Sequence, residues 1–428
     1  MIKIIDILNA NEKDILNRDI SIESGVEATV LQIIANVKAN GDSALLDYSE
    51  KFDGVKPSCF EVTKEEIQAA YESEDELFIE TLKKAKKNIW DFHSYQVRNG
   101  FLINEKDGVI LGQKITPIEK VGIYVPGGTA SYASTALMNA IPAKIAGVEQ
   151  IVMVTPPDKS GNISTAVLAA AKIAGVDKVF KVGGAQAIAA LAYGTESIPK
   201  VDKIVGPGNV YVATAKRMLY GMVDIDMIAG PSEILILADG SSNPSIVAAD
   251  LLSQAEHDKM ASAVLITDSK ELAKTVSEQL EEQIPKLPRA QIARCSIDTN
   301  GKIILVRDMK QAVEVSNTIA PEHLEIHVDD PFSLLNSVKN AGSILLGKNA
   351  PEPLGDYLAG PNHTLPTSGT ARFSSPLSVD DFIKKSSFVY YTKDALQNVC
   401  DDIVRFAEKE GLQAHGKCVS KRFYKPEE

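Results

Sequence analysis

The 428-residue chain is poor in cysteine, with four in all, and they follow no C-x-x-C spacing. Cys59, Cys295, Cys400 and Cys418 are scattered, which excludes a disulfide framework and a cysteine zinc cluster and suits a reducing compartment. No run of about 18 apolar residues occurs, so no transmembrane helix is expected. The N-terminus, Met1-Ile2-Lys3-Ile4-Ile5-Asp6, lacks the apolar stretch of a secretory signal and the Arg and Ser richness of a transit peptide; a cytoplasmic location is expected. Basic charge is also short. Lys plus Arg number 45 against 57 Asp plus Glu, a net charge of −12. Phosphate backbones and anionic lipids require clustered Lys and Arg, so neither nucleic acid nor a membrane is expected as a partner. The densest basic run, Lys83-Lys84-Ala85-Lys86-Lys87, sits in a helical pattern with Glu74, Asp75, Glu76 and Glu80 and reads as a solvated face. What remains is 44% hydrophobic and 24% charged, the balance of a soluble globular protein. At about 150 residues per domain, the length predicts two or three domains.

Residues 22–98 read as mainly helical, with a capping-box pattern at Thr63-Lys64-Glu65-Glu66. Strand-like sequence follows from 109 to 125, broken by Pro117. From 122 to 238, short β-branched runs (121–125, 150–154, 178–182, 203–205, 234–238) alternate with helical ones. Such alternation with short loops predicts a parallel sheet covered on both faces, and right-handed crossovers make it Rossmann-like. A second round of alternation runs to 346. The stretch 351–370 has turn residues without periodicity and reads as a loop long enough to be functional. The fold class is α/β: two Rossmann-like parallel-sheet domains, a small N-terminal arm and a helical C-terminal tail. The divisions are 1–21 for the arm, 22–121 with 233–380, 122–232, and 381–428 for the tail.

Three glycine turns fall at inferred strand ends: Gly122 to Gly128, Gly183-Gly184-Ala185-Gln186, and Gly206-Pro207-Gly208-Asn209. Ligands of open α/β sheets bind at such ends. The third turn matches the first two glycines of a dinucleotide fingerprint, but Tyr211 stands where the third should be. It reads equally as a cofactor turn or as a plain strand-to-helix turn. Gln254 and His257 share a helix face, and Glu256-His257-Asp258 reads either as a polar helix end or as part of a site. Pro321-Glu322-His323 opens an alternating strand. Adjacent Glu and His there suit acid–base work if desolvated, or form a satisfied surface pair. Glu325 and His327 point to the side opposite Leu324, Ile326 and Val328. His327 and His93 read as structural, without convergent polar company. Asp356, His363 and His415 are metal-suited donors on distant segments without local metal spacing.

With these segments together, the sequence resembles the histidinol dehydrogenase family over nearly its whole length. The resemblance rests on 122–128, 182–199, 201–209, Ala229-Gly230-Pro231-Ser232-Glu233, 250–257, 320–325 and 355–367, with Asp250 to His257 the most specific block. It implies zinc-dependent oxidation of L-histidinol to L-histidine through the aldehyde, with two NAD⁺ in sequence. It implies Gln254, His257, Asp356 and His415 as ligands of one Zn²⁺ per subunit, and Glu322 and His323 as acid–base residues. It further implies Ser232, His363 and Glu410 beside the substrate, Tyr124, Gln186 and Asn209 at NAD, and a homodimer whose tail completes the partner's site. The rival reading is a zinc hydrolase that uses the same His, Asp and Glu without NAD. A non-enzymatic binding protein would not need adjacent Glu322 and His323.

Overall fold

A computed structural model of the chain describes residues 1–9, 15–16, 24–127 and 131–423. Its strands are, in chain order, β1 Lys3–Asp6, β2 Phe101–Lys106, β3 Val109–Pro117, β4 Lys120–Tyr124, β5 Gln150–Thr155, β6 Lys178–Lys181, β7 Lys203–Val205, β8 Asp224–Ile225, β9 Glu233–Ala238, β10 Ser262–Thr267, β11 Lys302–Leu305, β12 His323–His327, β13 Ser343–Leu346 and β14 Ile383–Tyr391. The chain forms two compact units. The first, Met1–Gln96 with Ile118–Phe382, holds two parallel sheets, and the second, Val97–Pro117 with Ile383–Glu428, holds an antiparallel one.

The parallel sheets run β6-β5-β4-β7-β8 and β1-β11-β10-β9-β12-β13. β1 aside, both follow one rule: the first strand is central, the next two add to one side and the last two to the other. Each sheet therefore has a switch point, between β4 and β7 in one and between β9 and β12 in the other. Period-two alternation feeds a core on each face. Along β5, Ile151 and Met153 enter one core and Val152 and Val154 the other. Along β9, Ile234 and Ile236 oppose Leu235 and Leu237 in the same way.

Two divisions of the chain differ from those expected. The arm is in part a strand: β1 pairs with β11 from Lys3 opposite Lys302 to Asp6 opposite Leu305, and Ile2 enters the core below. Residues 10–14 and 17–21 of the arm lie outside the described residues. The helices Ser24–Tyr48, Lys64–Ser73 and Glu76–Ser94 confirm the helical reading, and Thr63 closes its capping box, accepting from Glu66 N at 3.1 Å while Glu66 Oε2 accepts from Thr63 N at 2.7 Å. These helices pack chiefly on the five-stranded sheet rather than on the six-stranded one, with Asn88 Nδ2 also donating to the Leu358 carbonyl at 2.7 Å. Val30, Ile33 and Val37 share a core with Ile188, Leu191 and Ile204, and Leu82 and Ile89 share one with Leu137 and Leu168. The cause lies in the helices Thr165–Ala174 and Gly184–Tyr193, which are nearly all apolar and buried on most sides. A helix apolar all round needs a further layer over it.

In the second unit β14 pairs with β3, from Ile383 opposite Pro117 to Tyr391 opposite Val109, and β3 with β2. The tail is thus a strand followed by the helices Lys393–Lys409 and Gln413–Ser420. The strand gave no sequence signal because nearly all its residues are exposed, so no polar–apolar alternation marks it. Among the described residues no helix is long and apolar enough to cross a membrane.

Candidate active site

The polar candidates gather where β12 begins. Leu324 and Ile326 enter the core on one face, and the alternate residues turn toward the helix Pro244–Ala255. Glu322 Oε2 accepts from Glu233 N at 2.8 Å, directly after Ser232, and lies 3.8 Å from His323 Nδ1. His323 Nε2 lies 3.5 Å from Asp356 Oδ1, and the Asp356 carbonyl lies 3.1 Å from His363 Nδ1. The helix Pro244–Ala255 returns from β9 to the same edge, where the charges of Asp356 and His323 act on His257. Gln254, one turn before His257, buries its Oε1 without a hydrogen-bond partner.

Asp356 sits on the helix Glu352–Tyr357, inside the stretch expected to be a loop. Six residues are too few to show a helical period, and Pro and Gly masked it further. Glu325 Oε1 accepts from Glu352 N at 2.6 Å and anchors the start of this helix. His327 is not without polar company. Its Nε2 lies 3.1 Å from Glu325 Oε2 and 3.6 Å from Asp250 Oδ2, all buried. The alternation had put Glu325 and His327 on one side; Asp250 comes from the helix packed there, a contact no sequence spacing shows.

Burial sets the electrostatics. It pushes the Glu322 carboxyl up to about 7, against the attraction of His323. Burial disfavours a charged His323, but the carboxylates of Glu322, Asp356 and Glu352 outweigh it and lift the imidazole to about 10. Burial raises Glu352, while Asp356 falls despite burial because His323 hydrogen-bonds to it. Burial lowers His257 and His363, which favours their neutral, metal-ligating form. An unpartnered amide oxygen, a neutral imidazole and an ionised carboxylate on one edge fit a Zn²⁺ site. His415 and Glu410 lie on the second unit, exposed there, so the first unit holds three of the four expected ligands.

The glycine turns gather at the switch point of the five-stranded sheet. Tyr124 ends β4, and its Oη accepts from Gly184 N at 3.1 Å. Gln186 is buried in the first turn of the helix Gly184–Tyr193. Asn209 is exposed and caps the helix Val210–Leu219, accepting from Tyr211 N at 3.1 Å and Val212 N at 3.2 Å. Gly206 has φ +111°, and a Cβ there would strike the Tyr124 carbonyl oxygen. A backbone cradle that a side chain would fill fits close approach of a pyrophosphate. Gly128 lies outside the described residues.

Buried carboxyl and imidazole groups on one sheet edge and a glycine-lined switch point on another fit an oxidoreductase. Comparison with known proteins identifies which. A family model for histidinol dehydrogenase matches residues 16–423. Histidinol dehydrogenase from Clostridium acetobutylicum is 58% identical over 395 residues, covering 92% of each chain. That from Bacillus cereus is 58% identical over 402 residues, covering 94% of each. The crystal structure of histidinol dehydrogenase from Elizabethkingia anophelis superposes with a TM-score of 0.93 at 40% identity, covering 98% of both chains. The chain belongs to the histidinol dehydrogenase family. An oxidoreductase family leaves the zinc-hydrolase reading without support.

Proposed function

We propose that the protein oxidises L-histidinol to L-histidine through L-histidinaldehyde, using two NAD⁺ and one Zn²⁺ per subunit, at the end of histidine biosynthesis in the cytoplasm. The observation that carries this reading is the meeting of His257, His323, Asp356 and His363 beside buried Glu322, in a chain of this family. Gln254, His257 and Asp356 would hold the zinc, with His415 as fourth ligand. Bound there, Zn²⁺ would supply a positive charge that orients the amine and imidazole of the substrate. His323, in its neutral form, would take the hydroxyl proton as hydride leaves carbon for NAD⁺. Glu322, near 7, takes a proton from the water that adds to the aldehyde before the second hydride leaves. Ser232, His363 and Glu410 orient the substrate. None of the four cysteines is in the cluster, which favours water over a thiol adduct. NAD⁺ is assigned to 122–232, against Tyr124, Gln186 and Asn209.

The dimer is part of the proposal. The second unit exposes the apolar side chains Phe388 and Tyr390 on one face of β14, Val389 on the other and Phe406 on the following helix, which suits contact with a second copy of the chain, and it carries Glu410 and His415. NADH formation from L-histidinol, lost on chelation and restored by zinc, is the expected result. Turnover that survives complete chelation would remove the metal from the reading; no turnover would remove the substrate. Mixing His415→Ala with Glu322→Gln chains should restore up to about half the activity per heterodimer, since one of two shared sites collects both defects. Heterodimers without recovery would put His415 in its own subunit's site.

A further inference from the structure

We infer that the buried Lys216–Asp226 pair is a positioning device for the cofactor, holding the Gly206-Pro207-Gly208 turn in its receiving shape before NAD⁺ arrives. The inference rests on the NAD⁺ reading above and adds two residues that no motif singled out. Lys216 lies on the helix Val210–Leu219 and Asp226 just beyond β8. They form an ion pair, and their side chains are 2% and 1% exposed. Both reach the same residue. Gly206 N donates to Asp226 Oδ2 at 2.7 Å, and Lys216 Nζ donates to the Gly206 carbonyl oxygen at 2.9 Å. Asp226 Oδ1 also accepts from Met227 N at 2.6 Å, which fixes the carboxylate.

A buried ion pair is a poor source of stability, because apolar residues of similar volume often serve as well. Its worth here lies in what it grips. Both backbone groups of one glycine are held by desolvated charges, where such bonds are strong. That glycine has φ +111° and abuts the Tyr124 carbonyl, while the Tyr124 hydroxyl accepts from Gly184 of the neighbouring turn. The pair therefore sets the position of one glycine turn relative to Tyr124, and through Tyr124 relative to the second turn. A turn fixed before binding spares the ordering cost that a loose one imposes on affinity.

A neighbouring lysine supplies the control. Lys203 Nζ, also buried, pairs with Asp224 Oδ2 at 3.0 Å and with Asp381 Oδ1 at 3.7 Å, and does not hydrogen-bond to Gly206. Calorimetric NAD⁺ binding and thermal unfolding would be compared for the wild type, the Lys216→Met/Asp226→Leu double variant and the Lys203→Met/Asp224→Leu double variant. Removing both charges of the first pair together avoids stranding one of them, whereas the control leaves Asp381 without Lys203 and is the harsher change. The first variant should bind NAD⁺ roughly ten- to a hundredfold more weakly, the scale of effect that a misplacement near 1 Å produces. It should keep L-histidinol affinity and a near-native unfolding temperature, and the control should keep wild-type NAD⁺ affinity. Unchanged NAD⁺ binding in the first variant, or an equal loss in the control, overturns the inference. Hydrogen exchange on the wild type decides it even if the variant does not fold. Gly206 N–H should be protected without cofactor; rapid exchange that stops only when NAD⁺ is added would show that the cofactor, not the pair, sets the turn. Wild-type protein that binds no NAD⁺ at all would overturn the cofactor reading instead.

Discussion

The two parallel sheets of the first unit share a strand order, yet the residues proposed for function gather at opposite edges. In the five-stranded sheet they lie at the carboxyl ends of β4, β6 and β7, where the helices Gly184–Tyr193 and Val210–Leu219 begin. In the six-stranded sheet they lie at the amino end of β12, where the helix Pro244–Ala255 finishes. Helix N-termini present amides and partial positive charge, and helix C-termini present carbonyls and partial negative charge. One edge thus suits an anion such as a pyrophosphate and the other a cation, in line with the cofactor and zinc sites proposed above. Strand order alone does not say which edge a sheet will use; the polarity of the helix ends there differs between the two.

If the edges are separate in this sense, damage to one should spare the other. The largest effect is expected from His257→Ala, which removes a proposed ligand from the cation edge. Bound zinc, measured by atomic absorption, should fall to a small fraction and activity with it, while NAD⁺ binding persists. Zinc retained at the wild-type level would take His257 out of the ligand set. Next come His323→Ala and Glu322→Gln, each expected to slow its own half-reaction by about 10²–10⁴-fold. Assays begun separately from histidinol and histidinaldehyde should show His323→Ala slowing the first oxidation and Glu322→Gln mainly the second. Equal losses in both steps for Glu322→Gln would end the division of roles.

A smaller effect is expected at the anion edge. Gly206→Ala sets a Cβ against the Tyr124 carbonyl at φ +111°, so NAD⁺ affinity should fall by roughly tenfold while zinc content stays full. Loss of zinc in this variant would mean that the two edges are coupled. The smallest concerns stability. Glu322 is raised from 4.5 to about 7 by burial, so the folded state keeps a proton that the unfolded chain releases between those values. The stability tied to that proton is full at low pH and lost as pH rises to about 7. Glu322→Gln should therefore be more stable than wild type by roughly 1–3 kcal/mol above pH 7, with the gain vanishing toward the unfolded value. Urea unfolding of the chelated proteins across this range is the measurement, and a gain independent of pH would contradict the buried carboxyl.

Several features were legible because their signals are local. The β–α alternation, the capping box at Thr63 and the opposed faces of β12 each depend on residues within a few positions, and period and chain chemistry fix them. The glycine turns at 183–186 and 206–209 were legible as turns. The helix carrying Asp356 was not, being six residues long, and neither was β14, whose residues are exposed and unpatterned. At the helix end, sequence chemistry alone favours Glu256 over Gln254 as a metal donor. The buried, unpartnered Gln254 Oε1 supports the ligand that the family resemblance implied.

The sequence by itself determined the α/β class and which residue types could do chemistry, since these follow from periodicity and side-chain properties. Tertiary structure decided which of them meet. It brought β1 to the edge beside β11, set the helices between Ser24 and Ser94 over the five-stranded sheet, and gathered segments around 233, 257, 323, 356 and 363 at one edge. It also decided the charges, because desolvation acts only on a folded site. Glu322 and His323 are ordinary acid and base in the chain; burial and three neighbouring carboxylates separate their proton affinities from the usual values.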